Sequence, residues 1–231
     1  MPTVTGAPTA TITATRIMGI EAQLTLVQWL SAGFPVGAFS YSHGLERAVH
    51  DGDVSDAAEF DEWLRDVLEH GAGRNDAILL HAAYSTGKAD DLRVLDELAR
   101  ALAPSSERLM ETDLQGAAFC KTVSAIWGLP LGDLAYPVAV GAAAAAQNID
   151  RTAAVSHYLH AFAANLTSAA IRLVPLGQTE GHAVLADMHS LCARIARDTA
   201  DLTPDDLGGC CFAADIASMT HETQYSRLFR S

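Results

Sequence analysis

Lysine is nearly absent from this sequence, in which Lys88 and Lys121 are the only two lysines among 231 residues. There are 15 basic and 28 acidic residues, so the formal net charge at pH 7 is −13. A chain this acidic repels phosphate backbones, which argues against nucleic acid as a partner. The same charge favours solubility and attracts basic partner surfaces or metal cations.

Long hydrophobic runs are missing too. The Ala-rich stretch 138–146 is too short to span a bilayer, and Gln147 and Asn148 follow it at once. The first 15 residues lack the basic start and the apolar run of a secretory signal. We therefore predict a cytoplasmic protein with no membrane partner, in which residues 1–18 form a disordered tail.

Cysteine is scarce and shows no ligand spacing. The four cysteines are Cys120, Cys192, Cys210 and Cys211, and no C-x-x-C pair occurs. This pattern provides neither a disulfide framework nor a zinc knuckle. Without an export signal, it predicts reduced and mostly buried thiols, with the Cys210–Cys211 step inside a buried helix.

The short motifs of common enzyme classes are not found. The sequence has no G-x-x-x-x-G-K-[ST] loop for nucleotide phosphates and no G-x-S-x-G nucleophile turn. His221 and Glu222 open a zincin-like H-E-x-x-H pattern, but Tyr225 stands where the second histidine ligand is needed. We predict a protein that is not an enzyme and binds no cofactor. A helical enzyme without a short motif is the alternative.

Histidines occur in pairs that could share one face of a helix. The pairs are His43–His50, His157–His160 and His182–His189. A structural metal site needs three or four converging ligands, and the sequence shows only pairs. We therefore predict surface or core histidines at these positions and no metal site.

Helical periodicity runs through almost the whole chain, and no stretch alternates like a strand with a partner. In the first helix, the predicted apolar face carries Ile20, Leu24, Val27 and Leu30, and Leu26 and Trp29 widen it. Helices are predicted over segments 20–32, 39–50, 56–70 (capped by Ser55), 76–84, 90–102, 105–127, 136–147, 151–173, 180–202 and 210–220. The predicted fold is an all-α, single-domain helical bundle of about eight to ten helices, covering residues 19–220.

Segment 34–46 is unusual for a plain helical bundle. Pro35 fixes φ and Gly37 permits a positive φ, so the turn has a defined shape. Ser40 can cap the helix that follows. Gly44 falls inside that predicted helix, where Ala would be more stable by about 1 kcal/mol. This glycine indicates that another element packs closely there, which fits a partner site or a tight corner between helices.

Two further segments stand out. In segment 175–181, a helix stop leads directly into a helix start, and the second glycine, Gly181, again indicates a close approach. The tail 221–231 carries Tyr225, Leu228 and Phe229 interleaved with arginines, whereas disordered termini usually lack aromatics. Aromatic and arginine side chains anchor interfaces, so the tail is predicted either to bind a partner or to fold back on its own acidic body.

These three segments, in this order and spacing, resemble the UreF family of urease accessory proteins, and the likeness extends from about Leu24 to Ser231. The resemblance implies an all-α homodimer that binds a UreD-type (or UreH-type) accessory protein and a UreG-type GTPase. It also implies that the assembly couples GTP hydrolysis to nickel delivery into apo-urease. The partner-binding residues implied or indicated are Phe34, Pro35, Gly37, Phe39, Ser40, Tyr41, Gly44, Glu46, Gln178, Glu180, Tyr225, Arg227, Leu228, Phe229 and Arg230.

The tail residues of this set are expected to face the UreD-type protein, while some of the others hold the fold. An alternative within the same family role is a metallochaperone that holds nickel through its own histidines, such as His43 or His221.

Overall fold

The computed structural model describes residues 18–231, which form ten α-helices and no β-strand. The helices are α1 (Ile20–Trp29), α2 (Leu45–Asp51), α3 (Ala57–Glu69), α4 (Ala72–Ser85), α5 (Ala89–Ala101), α6 (Ser106–Trp127), α7 (Tyr136–Ala146), α8 (Arg151–Leu173), α9 (Gln178–Asp198) and α10 (Phe212–His221). Short 3-10 turns cover Ala38–Ser40 and Pro204–Asp206. The predicted all-α bundle is confirmed. The expected N-terminal tail lies, except for Met18, outside the described residues.

Helix α7 is the centre of the bundle. Its residues from Pro137 to Ala144 are all buried, and the helix packs against α4, α6, α8 and α5. Small side chains allow this, because helix backbones approach one another most closely where neither carries a bulky group. A Cβ built on Gly141 would lie 2.4 Å from the Leu80 carbonyl oxygen, so α4 and α7 touch through their backbones.

The segment before α2 departs from the predicted helix 39–50. Tyr41 is extended, with φ −122° and ψ 140°, and His43 and Gly44 have φ values of 54° and 79°. Helix α2 therefore begins only at Leu45. The cause is tertiary, since a Cβ on Gly44 would lie 2.6 Å from the Ser218 amide nitrogen of α10. The close approach predicted at this glycine is confirmed, but the glycine precedes the helix instead of lying inside it.

Other helix ends also shift. Helix α3 ends at Glu69, close to the predicted end at residue 70, but α4 begins at Ala72 instead of residue 76, and Gly73 packs on the backbone of Leu68. The Cys210–Cys211 step is not helical, because it precedes α10, and only Cys211 is buried. The cap of α3 is Asp56, whose Oδ1 accepts from the amides of residues 58 and 59.

Helix α1 buries only one side of the wide apolar stripe that was predicted for it. Leu26 and Trp29 are fully buried, whereas Ile20, Leu24 and Val27 are 68%, 62% and 55% exposed. The Trp29 ring packs edge-on against Phe119 and Trp127 of α6, each with ring centroids 5.5 Å apart. The apolar stripe is wider than the part that is buried, and the aromatic contacts decide which side of it packs. In the described residues no helix is both long and apolar enough to cross a membrane.

Substitution of Gly141 by Ala tests the backbone contact between α4 and α7. Helix propensity alone favours alanine by about 1 kcal/mol. The clash with the Leu80 carbonyl outweighs this gain, because backbone atoms have to move, and we expect a net loss of about 1–3 kcal/mol in the free energy of unfolding. Urea unfolding measures it.

Gly33→Ala is the matched control, because a Cβ there meets nothing within 4 Å. We expect its free energy of unfolding to change by less than about 0.5 kcal/mol. Equal stability of the two variants would contradict the packing argument.

Candidate partner-binding site

After α10 the chain turns back and lies along the segment before α2. The Arg230 amide donates to the Ser40 carbonyl at 2.8 Å, and the Ser42 amide donates to the Ser231 carbonyl at 2.8 Å. Two of the three segments that stood out in the sequence are thus hydrogen-bonded to each other. Of the two arrangements predicted for the tail, the structure has the one in which the tail folds back on the protein's own body.

The carboxylate of Glu46 is the main polar anchor of the tail. Glu46 lies in the first turn of α2 and is only 6% exposed. Its Oε1 accepts from the Leu228 amide at 2.7 Å, and its Oε2 accepts from the Phe229 amide at 2.9 Å. One buried carboxylate therefore binds two consecutive backbone amides of the tail.

His221, the last residue of α10, lies between two carboxylates and is fully buried. Its Nε2 is 3.2 Å from Glu46 Oε2, and its Nδ1 is 2.7 Å from Glu107 Oε2. Only a doubly protonated ring donates a hydrogen bond to both. Arg227 then donates to Glu107 Oε1 at 2.6 Å. We call Glu46, His221, Glu107 and Arg227 the carboxylate–histidine bracket.

A second buried ionic group adjoins the bracket on α6. Glu111 lies 2.8 Å from His43 Nε2, is bonded to Arg108, and accepts from the Ser231 hydroxyl at 3.1 Å. Burial opposes ionisation of Glu111, but the charge of Arg108 and the contact with His43 hold its pKa at about 2. Burial, aided by Arg108, lowers the pKa of His43 to about 4. Glu111 is therefore ionised and His43 neutral at pH 7.

A cavity of about 400 Å³ opens beside this group. Among its lining residues are Arg108, Glu111, Tyr136 and Asp76. The Tyr158 hydroxyl donates to Asp76 Oδ2 at 2.7 Å. Burial raises the pKa of Asp76 to about 6, and the hydrogen bond from Tyr158 only partly offsets it.

The predicted partner-binding residues fall into an exposed, a half-buried and a buried group. Tyr225, Leu228 and Phe39 are 105%, 77% and 65% exposed. Pro35, Gln178, Glu180, Arg227 and Arg230 are also exposed, Gly37 and Ser40 are half-buried, and Phe34, Tyr41, Gly44, Glu46 and Phe229 are buried. The buried members face the protein itself, so only the exposed ones are available to a partner in this conformation.

Phe229 links the tail to the body. Its ring is 5% exposed and lies 4.1 Å beneath the guanidinium of Arg172 at the end of α8. The same guanidinium donates to the Phe39 carbonyl at 3.1 Å. Gln178 and Glu180 lie in the first turn of α9, and in the described chain no hydrogen bond or ion pair connects them to the tail.

Sequence reasoning missed three charged residues and one surface. Glu107, Arg108 and Glu111 lie on α6 at positions that give no signal without knowledge of the facing tail. On α10, Phe212, Ile216 and Met219 are 74%, 56% and 48% exposed. Their i, i+4, i+7 spacing was visible in the sequence and defines an apolar stripe next to the tail.

Metal-ligand geometry is not found in the described residues, where no group of three or more His, Cys, Asp or Glu side chains could hold a metal ion. His43 and His221 are instead engaged by Glu111 and by the bracket. The closest histidine rings are His160 and His189, with centroids 5.1 Å apart, which is neither of the pairs predicted on those helices.

Fold and site together define an all-α domain whose buried polar groups fix a C-terminal segment and leave aromatic and aliphatic side chains on its outer side. The family model described as UreF matches residues 54–189. The urease accessory protein UreF of Roseobacter denitrificans is 55% identical over 93% of this chain and 96% of its own length. The UreF protein of Cereibacter sphaeroides is 53% identical over 91% of this chain and 99% of its own length. That of Ruegeria pomeroyi is 50% identical over 90% of this chain and 96% of its own length. The chain belongs to the UreF family.

Replacement of Asp76 by Asn tests the electrostatics of the cavity. Because the folded pKa of Asp76 is raised above its value of 3.8, the group stabilises the fold fully below pH 4 and loses that contribution as pH rises through 6. Asn keeps an acceptor for Tyr158 and does not titrate. We expect the unfolding free energy of the variant, relative to wild type, to rise by about 1–3 kcal/mol between pH 4 and pH 7.5.

Urea unfolding of both proteins across this pH range measures the difference. Parallel stability profiles would show that Asp76 is not desolvated in the folded protein.

Proposed function

We propose that the protein is an accessory protein of urease maturation that acts as a scaffold without chemistry of its own. It forms a cytoplasmic homodimer and bridges a UreD-type (or UreH-type) protein and a UreG-type GTPase. In this assembly GTP hydrolysis by the partner is coupled to nickel delivery into apo-urease. Membership in the UreF family and the names of its relatives support the urease role.

The observation that carries the scaffold role is the presentation of the tail. Consecutive residues point in opposite directions, since Phe229 is buried on the body while Leu228 is 77% exposed. Tyr225 is fully exposed in the same segment. A large apolar side chain such as Leu228, whose backbone amide is already bound by Glu46, makes a good interface anchor, because little ordering entropy is lost when a partner covers it.

The apolar stripe of α10 leads directly into this tail. Phe212, Ile216 and Met219 face outward on the ten-residue helix that ends at His221. Single exposed apolar residues are common on protein surfaces, but a patch of several next to one another marks an interaction site. We assign the stripe and the exposed side of the tail to one docking surface, which faces the UreD-type protein.

Nucleotide chemistry in this proposal belongs to the partner. The sequence has no phosphate-binding loop of the Walker type, so the GTPase is a separate chain. The net charge of −13 favours basic surfaces on the proteins that dock here.

Co-purification with the UreD-type partner tests the docking surface. Deleting the tail after Thr220 is a poor probe, because it removes His221 and leaves Glu46 and Glu107 buried without partners. Tyr225→Ala with Leu228→Ala changes only exposed side chains. We expect this double variant to fold normally and to bind the partner at least about 10-fold more weakly.

Val94→Ala is the matched control, because Val94 is an exposed apolar residue of α5, 50% exposed, away from the tail. It should bind like wild type. Full binding by the double variant would place the interface elsewhere on the helical body. If the wild-type protein itself captures neither a UreD-type nor a UreG-type partner, the scaffold proposal fails.

A further inference from the structure

The backbone of the tail is hydrogen-bonded over only part of its length. Between Tyr225 and Arg227 no amide donates to an acceptor within the described chain. From Leu228 onward the amides are bonded in succession, to Glu46 Oε1, to Glu46 Oε2 and to the Ser40 carbonyl. The transition from an unbonded to a bonded backbone falls where Glu46 makes contact.

Glu46 determines which side chains of the tail face outward. Its two oxygens bind the amides of residues 228 and 229, so both peptide units are fixed relative to α2. This orientation turns the Phe229 ring onto Arg172 and leaves Leu228 on the solvent side. A single carboxylate therefore holds two consecutive peptide units, which gives this part of the tail a defined outer face.

The contact requires a carboxylate in particular. Three donor groups reach the Glu46 carboxylate: the two tail amides and, at 3.2 Å, His221 Nε2. An ionised carboxylate only accepts, and it has about four lone-pair positions on two oxygens. An amide in its place would turn an NH₂ group toward donors, which leaves hydrogen bonds unmade in a buried site.

We infer that Glu46 is a positioning residue that clasps the tail in the shape needed for partner docking, and that it does not itself contact the partner. That Glu46 clasps the tail does not depend on the proposed function, whereas the role of the clasp in partner docking rests on it. The clasp is a property of the free protein, and its effect on docking is a property of the complex.

Hydrogen exchange of the wild-type protein alone tests the clasp without any substitution. We expect the amides of Leu228, Phe229 and Arg230 to exchange about 10- to 100-fold more slowly than those of Tyr225, Ser226 and Arg227 after correction for intrinsic rates. Equal exchange along the whole tail would overturn the clasp.

Glu46→Gln tests the role of the carboxylate. We expect the amides of Leu228 and Phe229 to exchange roughly 10- to 100-fold faster in this variant, while those of α4 and α7 keep their wild-type rates. Glu62→Gln is the matched control, because Glu62 is exposed on α3 and makes the same change in charge. An equal increase in the tail and the core would show a general loss of stability, and would overturn the positioning role.

Partner capture separates the clasp from the proposed function. Glu46→Gln should weaken binding of the UreD-type protein about 10-fold or more, because the competent tail conformation is less populated. If the tail loosens but capture is unchanged, the clasp stands for the free protein, and both the docking role of Glu46 and the tail assignment fail. If the tail does not loosen, the clasp is wrong whatever the partner does.

Discussion

A buried carboxylate must be satisfied by donors, and in this protein that requirement ties four separate parts of the chain together. Glu46 of α2 meets the tail amides and His221 of α10, and His221 meets Glu107 of α6. Removal of one partner would leave a charge buried without compensation, which costs several kcal/mol. The helix positions and the path of the tail are therefore mutually dependent. The left-handed Gly44 belongs to the same constraint, because it lets α2 approach α10 closely enough for Glu46 and His221 to meet.

Local signals predicted most of the fold. Apolar periodicity predicted a helix order and number close to those observed. The errors arose where the local structure depends on an element that is far away in the sequence. Periodicity could not reveal that α10 occupies the space beside Gly44, so a helix was predicted through Tyr41 and His43. Nor could it reveal which side of the wide apolar stripe of α1 is buried, because that depends on the aromatic rings of α6.

The sequence predicted which segments form the site, but not which of their side chains are buried and which are exposed. Turn residues and unusual aromatics singled out the segment before α2 and the tail, and the structure joins the two by hydrogen bonds. Sequence gave no means of telling that Phe229 packs inward while its neighbour Leu228 points outward, because that depends on which amides Glu46 accepts. Glu107 and Glu111 were missed for a related reason. Charged residues on a helix usually face solvent, whereas these two are buried and bonded to His43, His221 and the tail, all of which lie far away in the sequence.

The balance of forces in the tail suits reversible docking. A segment that folds only on binding spends about 2–5 kcal/mol of the interaction energy on ordering. Here Glu46 and the burial of Phe229 order residues 228 and 229 beforehand, so in the proposed complex the contact made by Leu228 would contribute more fully to affinity. The clasp is also separate from the backbone packing of α4 on α7, which needs no residue of the tail. The polar contacts that hold the tail and the contacts that hold α4 on α7 therefore lie in different parts of the molecule, so loosening of residues 228–231 leaves the α4–α7 packing in place.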